Sequence, residues 1–116
     1  MVAHRTYRGR CQLGHYGAIH RAAVSANASR GVIDVTSRFP ARSLEQHIAY
    51  DQIESVREAR VLADRGVALN LLDGRTLYFW SRRHHLELLD ELRSGGVHVD
   101  ARVEHVAPIG AKGLKI

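Results

Sequence analysis

The sequence predicts a mainly β, α+β domain. Its expected form is an antiparallel meander, sandwich or barrel with one amphipathic helix and an extra C-terminal strand. Three observations predict this. Apolar and polar residues alternate with a period of two along much of the 116-residue chain. The period changes once, over about 82–94, to helical spacing. It then returns to two over 97–104.

Residues 18–25 alternate weakly but are rich in small and branched side chains. Residues 31–37 (GVIDVTS) form a β-branched run between breaks at 27–30 and 38–42. Leu44, Gln46, Ile48 and Tyr50 then alternate with Glu45, His47 and Ala49. Residues 52–61 read as a strand, but Ile53 and Val56 are three apart. A period of two cannot put both on one face, so a turn or bulge is expected between them. Residues 66–72 (GVALNLL) and 75–80 (RTLYFW) are strands joined by Asp73-Gly74, read as a two-residue hairpin turn with glycine at positive φ. Such short, regular spacing suggests an antiparallel meander, sandwich or barrel.

Ser81 is the expected N-cap of the helix. Leu86, Leu88, Leu89 and Leu92 make one apolar stripe, and Gly95-Gly96 ends the helix as a C-cap. In the following strand Val97, Val99, Ala101 and Val103 face one way, and His98, Asp100, Arg102 and Glu104 the other. This alternation marks a half-buried antiparallel strand. The expected organisation is one domain over 1–106 and a flexible basic tail over 107–116.

The chain is 45% hydrophobic and 25% charged, as in ordinary globular domains. At this length roughly two-thirds of the unfolded surface is buried on folding, enough for a core without staples. These figures exclude a multidomain enzyme, a disulfide scaffold and an acidic disordered tail. The single cysteine, Cys11, permits no internal disulfide and is expected to be a small buried hydrophobe in a reducing, cytoplasmic setting. The charged stretch 1–10 is not followed by an apolar run of signal-peptide length, and no run approaches a membrane span.

Net charge is +5, unevenly spread. Residues 1–43 hold seven Arg and one acid, Asp34; residues 44–107 hold eight Arg and eleven acids. A basic N-terminal third can attract the phosphates of lipid or nucleic acid. The plainer alternative is a surface written in Arg rather than Lys.

A strand meander closed by a C-terminal helix is the order of the pleckstrin-homology-like (PH-like) fold, and segments over about 18–94 resemble its bacterial members. Gly31-Val32-Ile33-Asp34-Val35-Thr36 resembles a G-x-hydrophobic-x-V-T strand, and Asp51-Gln52-Ile53-Glu54-Ser55-Val56 a D-x-I-x-x-V step from turn into strand. Asp73-Gly74-Arg75 before Leu77-Tyr78-Phe79 is similar to the last hairpin, and residues 86–92 to the terminal helix. The resemblance implies a small open barrel, or two nearly orthogonal sheets, capped at one end by the amphipathic helix. Lipid-binding members carry close-spaced Lys and Arg in the first hairpin. Here Arg5, Arg8 and Arg10, with Arg21 beyond and no Lys, do not match that spacing clearly, so lipid binding is not carried over.

Candidate chemistry is sparse. There is no GxSxG, Walker or CxxC motif. His84-His85 point about 100° apart on a helix and cannot chelate as a facing pair, so no metal and no cofactor is expected. Tyr78 and Trp80 form an aromatic patch that either packs under the helix or flanks a ligand groove, stacking on bases beside Arg82 and Arg83. The last strand, through Val97, Val99, Asp100, Arg102, Val103 and Glu104, is either a solvated strand face or an edge for a partner strand.

The expected function is therefore a non-catalytic interaction module making protein–protein contact, with self-association through the last strand. The alternative is a binder of anionic lipid head groups or nucleic acid through Arg5, Arg8, Arg10, Arg21 and Arg30. A small enzyme would need two of His15, His47, His84, His85 and His98 to converge with an acid.

Overall fold

A computed structural model describes residues 5–14, 19–27, 30–39, 45–83 and 87–106. The chain runs β1 (Thr6–Leu13), β2 (His20–Asn27), β3 (Val32–Phe39), β4 (Glu45–Ala49), a 3-10 turn (Tyr50–Gln52), β5 (Ile53–Val61), β6 (Asp64–Leu71), β7 (Thr76–Ser81), α1 (Glu87–Ser94) and β8 (Glu104–Val106). The mainly β architecture with one α-helix is present among these residues. The strands make one eight-stranded sheet in the order β4-β3-β2-β1-β7-β6-β5-β8. Its ends, β4 and β8, do not pair with each other, so the sheet is not closed into a barrel.

Strand β1 is absent from the elements expected above, and it holds the sheet together. One edge pairs antiparallel with β2 and the other with β7. Its alternation is real: Tyr7 and Cys11 are buried in the main core while Arg8 and Arg10 are exposed on the other side. Arginines and Gly9 in a short strand mask that pattern.

Both faces of the sheet carry a core. On the main face, Tyr7, Cys11, Val24, Ile33, Val35, Val67, Leu69, Leu77 and Phe79 pack with Leu88 and Leu92 of α1. The helix is tied down by Tyr7, whose hydroxyl donates to Glu91 Oε1 at 2.7 Å. A smaller cluster on the opposite face joins Ala59, Val61, Ala68, Tyr78, Trp80 and Val106. Tyr78 and Trp80 thus pack away from the helix, which covers Leu77 and Phe79 instead. The expected irregularity in β5 is present as a register shift between Ile53 and Ser55. Beyond it Val56 joins the main core and Ala59 and Val61 the second, which places the strand between two apolar layers.

Two glycines allow neighbouring strands to close on β7. A Cβ on Gly66 would overlap the Phe79 carbonyl oxygen, and one on Gly9 the Trp80 carbonyl oxygen. The hairpin at Asp73-Gly74 has three loop residues rather than two. Gly74 N–H donates to Leu71 O at 3.0 Å, Gly74 takes φ 94°, and Leu71 N–H donates to Arg75 O at 2.8 Å. This is a type I turn followed by a glycine bulge, and it leaves Leu72 exposed.

The described helix is Glu87–Ser94; Arg82 and Arg83, expected within it, lie in a turn, and residues 84–86, with His84, His85 and Leu86, lie outside the described residues. Ser81 does not cap it. Its Oγ accepts from Arg83 N–H at 3.1 Å and so fixes the turn after β7. The C-terminus is as expected: Gly96 takes φ 93°, its N–H donates to Arg93 O at 3.0 Å, and Val97 N–H donates to Leu92 O at 3.0 Å. This is a Schellman motif, and Val97 packs into the same core as Leu92.

The strand expected over 97–104 is reduced and changes direction of pairing. Val99 makes an isolated parallel bridge to Val56, and β8 runs parallel to β5 over Glu104–Val106. The two are separated by a turn in which Asp100 Oδ1 accepts from Arg102 N–H at 2.9 Å. That side-chain competitor for the backbone ends the alternation, leaving Ala101 and Val103 exposed. The tail 107–116 lies outside the described residues.

Two outcomes follow. Gly66→Ala forces β6 and β7 apart and is expected to cost about 1–3 kcal/mol in urea unfolding, the range of core overpacking. Hydrogen bonding from the Arg102 side chain and N–H holds Asp100 at about 2. A carboxylate depressed in the folded state stabilises above its unfolded value, about 3.9, and loses that contribution as pH falls towards 2. Amide exchange at Val56 and Asp100, which bridge the two segments, should therefore accelerate selectively between about pH 4 and 2, and Asp100→Asn should remove that dependence.

Candidate anion-binding cleft

The register of β1 places like charges face to face. Arg10 sits directly opposite Arg21 on β2 and opposite Trp80 on β7. Arg8, two residues along, shares that face. The chain leaving β7 adds Arg82 and Arg83, and the β5–β6 turn adds Leu62 and Ala63. Together with Asp64, Ser81 and Trp80, these residues line a cleft of about 570 Å3. All five arginines are exposed. Among the described residues, no carboxylate lies within ion-pair distance of Arg8, Arg10, Arg82 or Arg83.

Several arginines elsewhere do have acidic partners. Arg57 lies 3.1 Å from Glu104 and 3.9 Å from Asp100, Arg75 lies 2.7 Å from Asp73, and Arg102 lies 3.0 Å from Asp100. Like charges directly opposite across a ladder oppose folding, and the exposed guanidinium forks suit a phosphate. Of the arginines proposed from the sequence, Arg8, Arg10 and Arg21 converge here. Arg5 lies before β1, beside Tyr7, and Arg30 lines a separate pocket with Asp34 and His47. Arg82 and Arg83 reach the cleft because the Ser81 turn follows the end of β7, a placement the sequence signals only by their position next to Trp80.

Leu62 is the second unusual feature. Val61 pairs with Asp64, so Leu62 and Ala63 form a two-residue turn. Leu62 has φ 57°, the one positive φ among described residues other than glycine, and its side chain is 69% exposed. A positive φ at the first loop position is the type II′ pattern, which favours glycine. Holding a leucine there costs about 1–3 kcal/mol.

The remaining candidates are placed as follows. Tyr78 and Trp80 are 2% and 3% exposed, so neither offers a ring face for stacking. Tyr78 donates to Glu104 Oε2 at 2.6 Å, and burial together with that carboxylate raises its pKa. Val97 belongs to the main core, and Val99 packs against it. Asp100 and Glu104 turn towards Arg57, while Arg102 and Val103 are exposed. The inner edge of this segment is occupied by β5 of its own chain. Cys11 is fully buried, and burial pushes its thiol up to about 12, outside the range of a nucleophile. His47 is exposed, 2.6 Å from Asp34, whose hydrogen bond raises its pKa. His98 is exposed, and its carbonyl accepts from Val56. Among the described residues, no three of His, Cys, Asp and Glu gather at metal-binding distance. His15, His84 and His85 lie outside them.

Relieving the Arg10–Arg21 repulsion should be measurable. Arg10→Gln is expected to raise stability by about 0.2–1 kcal/mol at low ionic strength. The gain should vanish near 1 M salt, where the screening length falls to about 3 Å. No protein-family model and no curated protein sequence matches the chain.

Proposed function

We propose that this chain is a non-catalytic PH-like module that binds phosphate-bearing polyanions in the arginine cleft. The observation that carries this is the convergence of Arg8, Arg10, Arg21, Arg82 and Arg83 on one open cleft whose only described acid is Asp64. The PH-like reading is supported by the order of elements: two antiparallel meanders, β1–β4 and β5–β7, joined through β1 and β7 and followed by one amphipathic helix. The unclosed sheet and the added β8 depart from it. Self-association through the last strand finds less support, since that segment is docked on β5 of its own chain. No helix among the described residues is long and apolar enough to cross a membrane. A cytoplasmic setting, where Cys11 stays reduced, fits this reading.

The cleft reads phosphate through guanidinium forks and through charge, so binding should weaken steeply with salt. Trp80, the one tryptophan, lines the cleft and serves as the reporter. Titration with inositol hexakisphosphate at low salt should shift its fluorescence. The double variant Arg82→Gln/Arg83→Gln should weaken binding at least about tenfold, because charged hydrogen bonds are worth more than that even singly. Arg30→Gln, outside the cleft, should bind as the natural chain does. No binding at low salt, or an equal loss in Arg30→Gln, overturns the reading.

A further inference from the structure

We propose that Leu62 is an insertion residue: the cleft docks on the headgroup layer of an anionic bilayer, and the β5–β6 turn enters the interface. This rests on the polyanion reading and names the source of the phosphate.

Three observations carry it. First, Leu62 lines the same cleft as the five arginines, so an apolar tip and a cationic surface point to one side of the molecule. Basic side chains attract an anionic leaflet, and an exposed leucine adds burial in the boundary between headgroups and acyl chains. Second, the sequence places leucine where glycine or asparagine would relax the turn, and Leu62 is 69% exposed. A solvent-facing leucine held at positive φ gains from burial against an apolar partner surface. Third, Trp80 is 3% exposed, so the cleft lacks the open aromatic face on which unpaired bases stack. A nucleic acid backbone would gain nothing from Leu62.

The fold supplies its own control. Leu72 is 64% exposed at the β6–β7 turn, at the opposite end of β6. Its neighbour Arg75 is already paired with Asp73 at 2.7 Å. An apolar tip without free cations should contribute nothing to membrane binding.

The test is sedimentation of the full chain with phosphatidylcholine vesicles, with and without about a third phosphatidylserine. The natural chain should partition onto the anionic vesicles only. Leu62→Asn should lower that partitioning about tenfold, the lower end of what burying a leucine side chain is worth. The same variant should unfold at a higher temperature, because asparagine tolerates positive φ. Leu72→Asn should sediment like the natural chain. Equal vesicle binding by Leu62→Asn and the natural chain overturns the inference. So does preference for a single-stranded or duplex oligonucleotide over vesicles. Binding of inositol hexakisphosphate without vesicle binding defeats the insertion proposal alone, whereas loss of both defeats the polyanion reading beneath it.

Discussion

Everything in this fold depends on one strand being paired along both edges. Strand β1 takes β2 on one side and β7 on the other, and so splices the β2–β4 meander to the β5–β7 meander. A strand in that position cannot leave its core face polar, which is why Tyr7 and Cys11 are buried and why Tyr7 also reaches α1 through Glu91. Nor can it carry a side chain at position 9, where the Trp80 carbonyl approaches too closely. The outer face of the same strand is exposed over Arg8 and Arg10 and buried again at Gln12. Architecture and candidate site are thus two faces of a single element.

The sheet is covered unequally on its two sides. The main face is sealed by α1 and by Val97 from the Schellman motif that ends it. On the opposite face, β8 covers only the β5 end, through Val106 and the contacts of Glu104 with Arg57 and Tyr78. Nε of Arg57 approaches Glu104 without the alignment of a hydrogen bond, so that contact is mainly one of charge. The cleft opens beside Trp80 of this second core, and its arginines stand with Leu62, Ala63 and one described acid, Asp64.

Charge and strain collect at the same place. Arg10 faces Arg21, and Leu62 holds a backbone conformation better suited to glycine. Each feature taken alone lowers stability. Elsewhere the chain follows ordinary rules: Arg75 and Arg102 have nearby carboxylates, Gly74 and Gly96 occupy the positive-φ turn positions, and the helix carries Asp90 near its start and Arg93 near its end. Local departures confined to one cleft are the physical signature of a site that gains from an external partner.

Most of the local structure was legible in the residues. The β-branched run of β3, the broken period of β5, the Leu88/Leu92 stripe and the Gly95-Gly96 stop are patterns of neighbours, and neighbours set local conformation. Strand β1 was hidden because arginines occupy its outward positions and a glycine interrupts its inward ones. The last strand was misjudged because alternation cannot register that Asp100 prefers to bond its own backbone. The cleft was half visible: Arg8, Arg10 and Arg21 stood out as basic residues, but so did Arg5 and Arg30, which point elsewhere. Only the ladder register brings Arg10 opposite Arg21, and only the curl of the sheet around Trp80 brings Leu62 and Arg82 to meet them. Composition and periodicity are properties of a chain read in one dimension. Convergence of charges from β1, β2 and the end of β7 is a property of how the strands pair, and it exists only once they have.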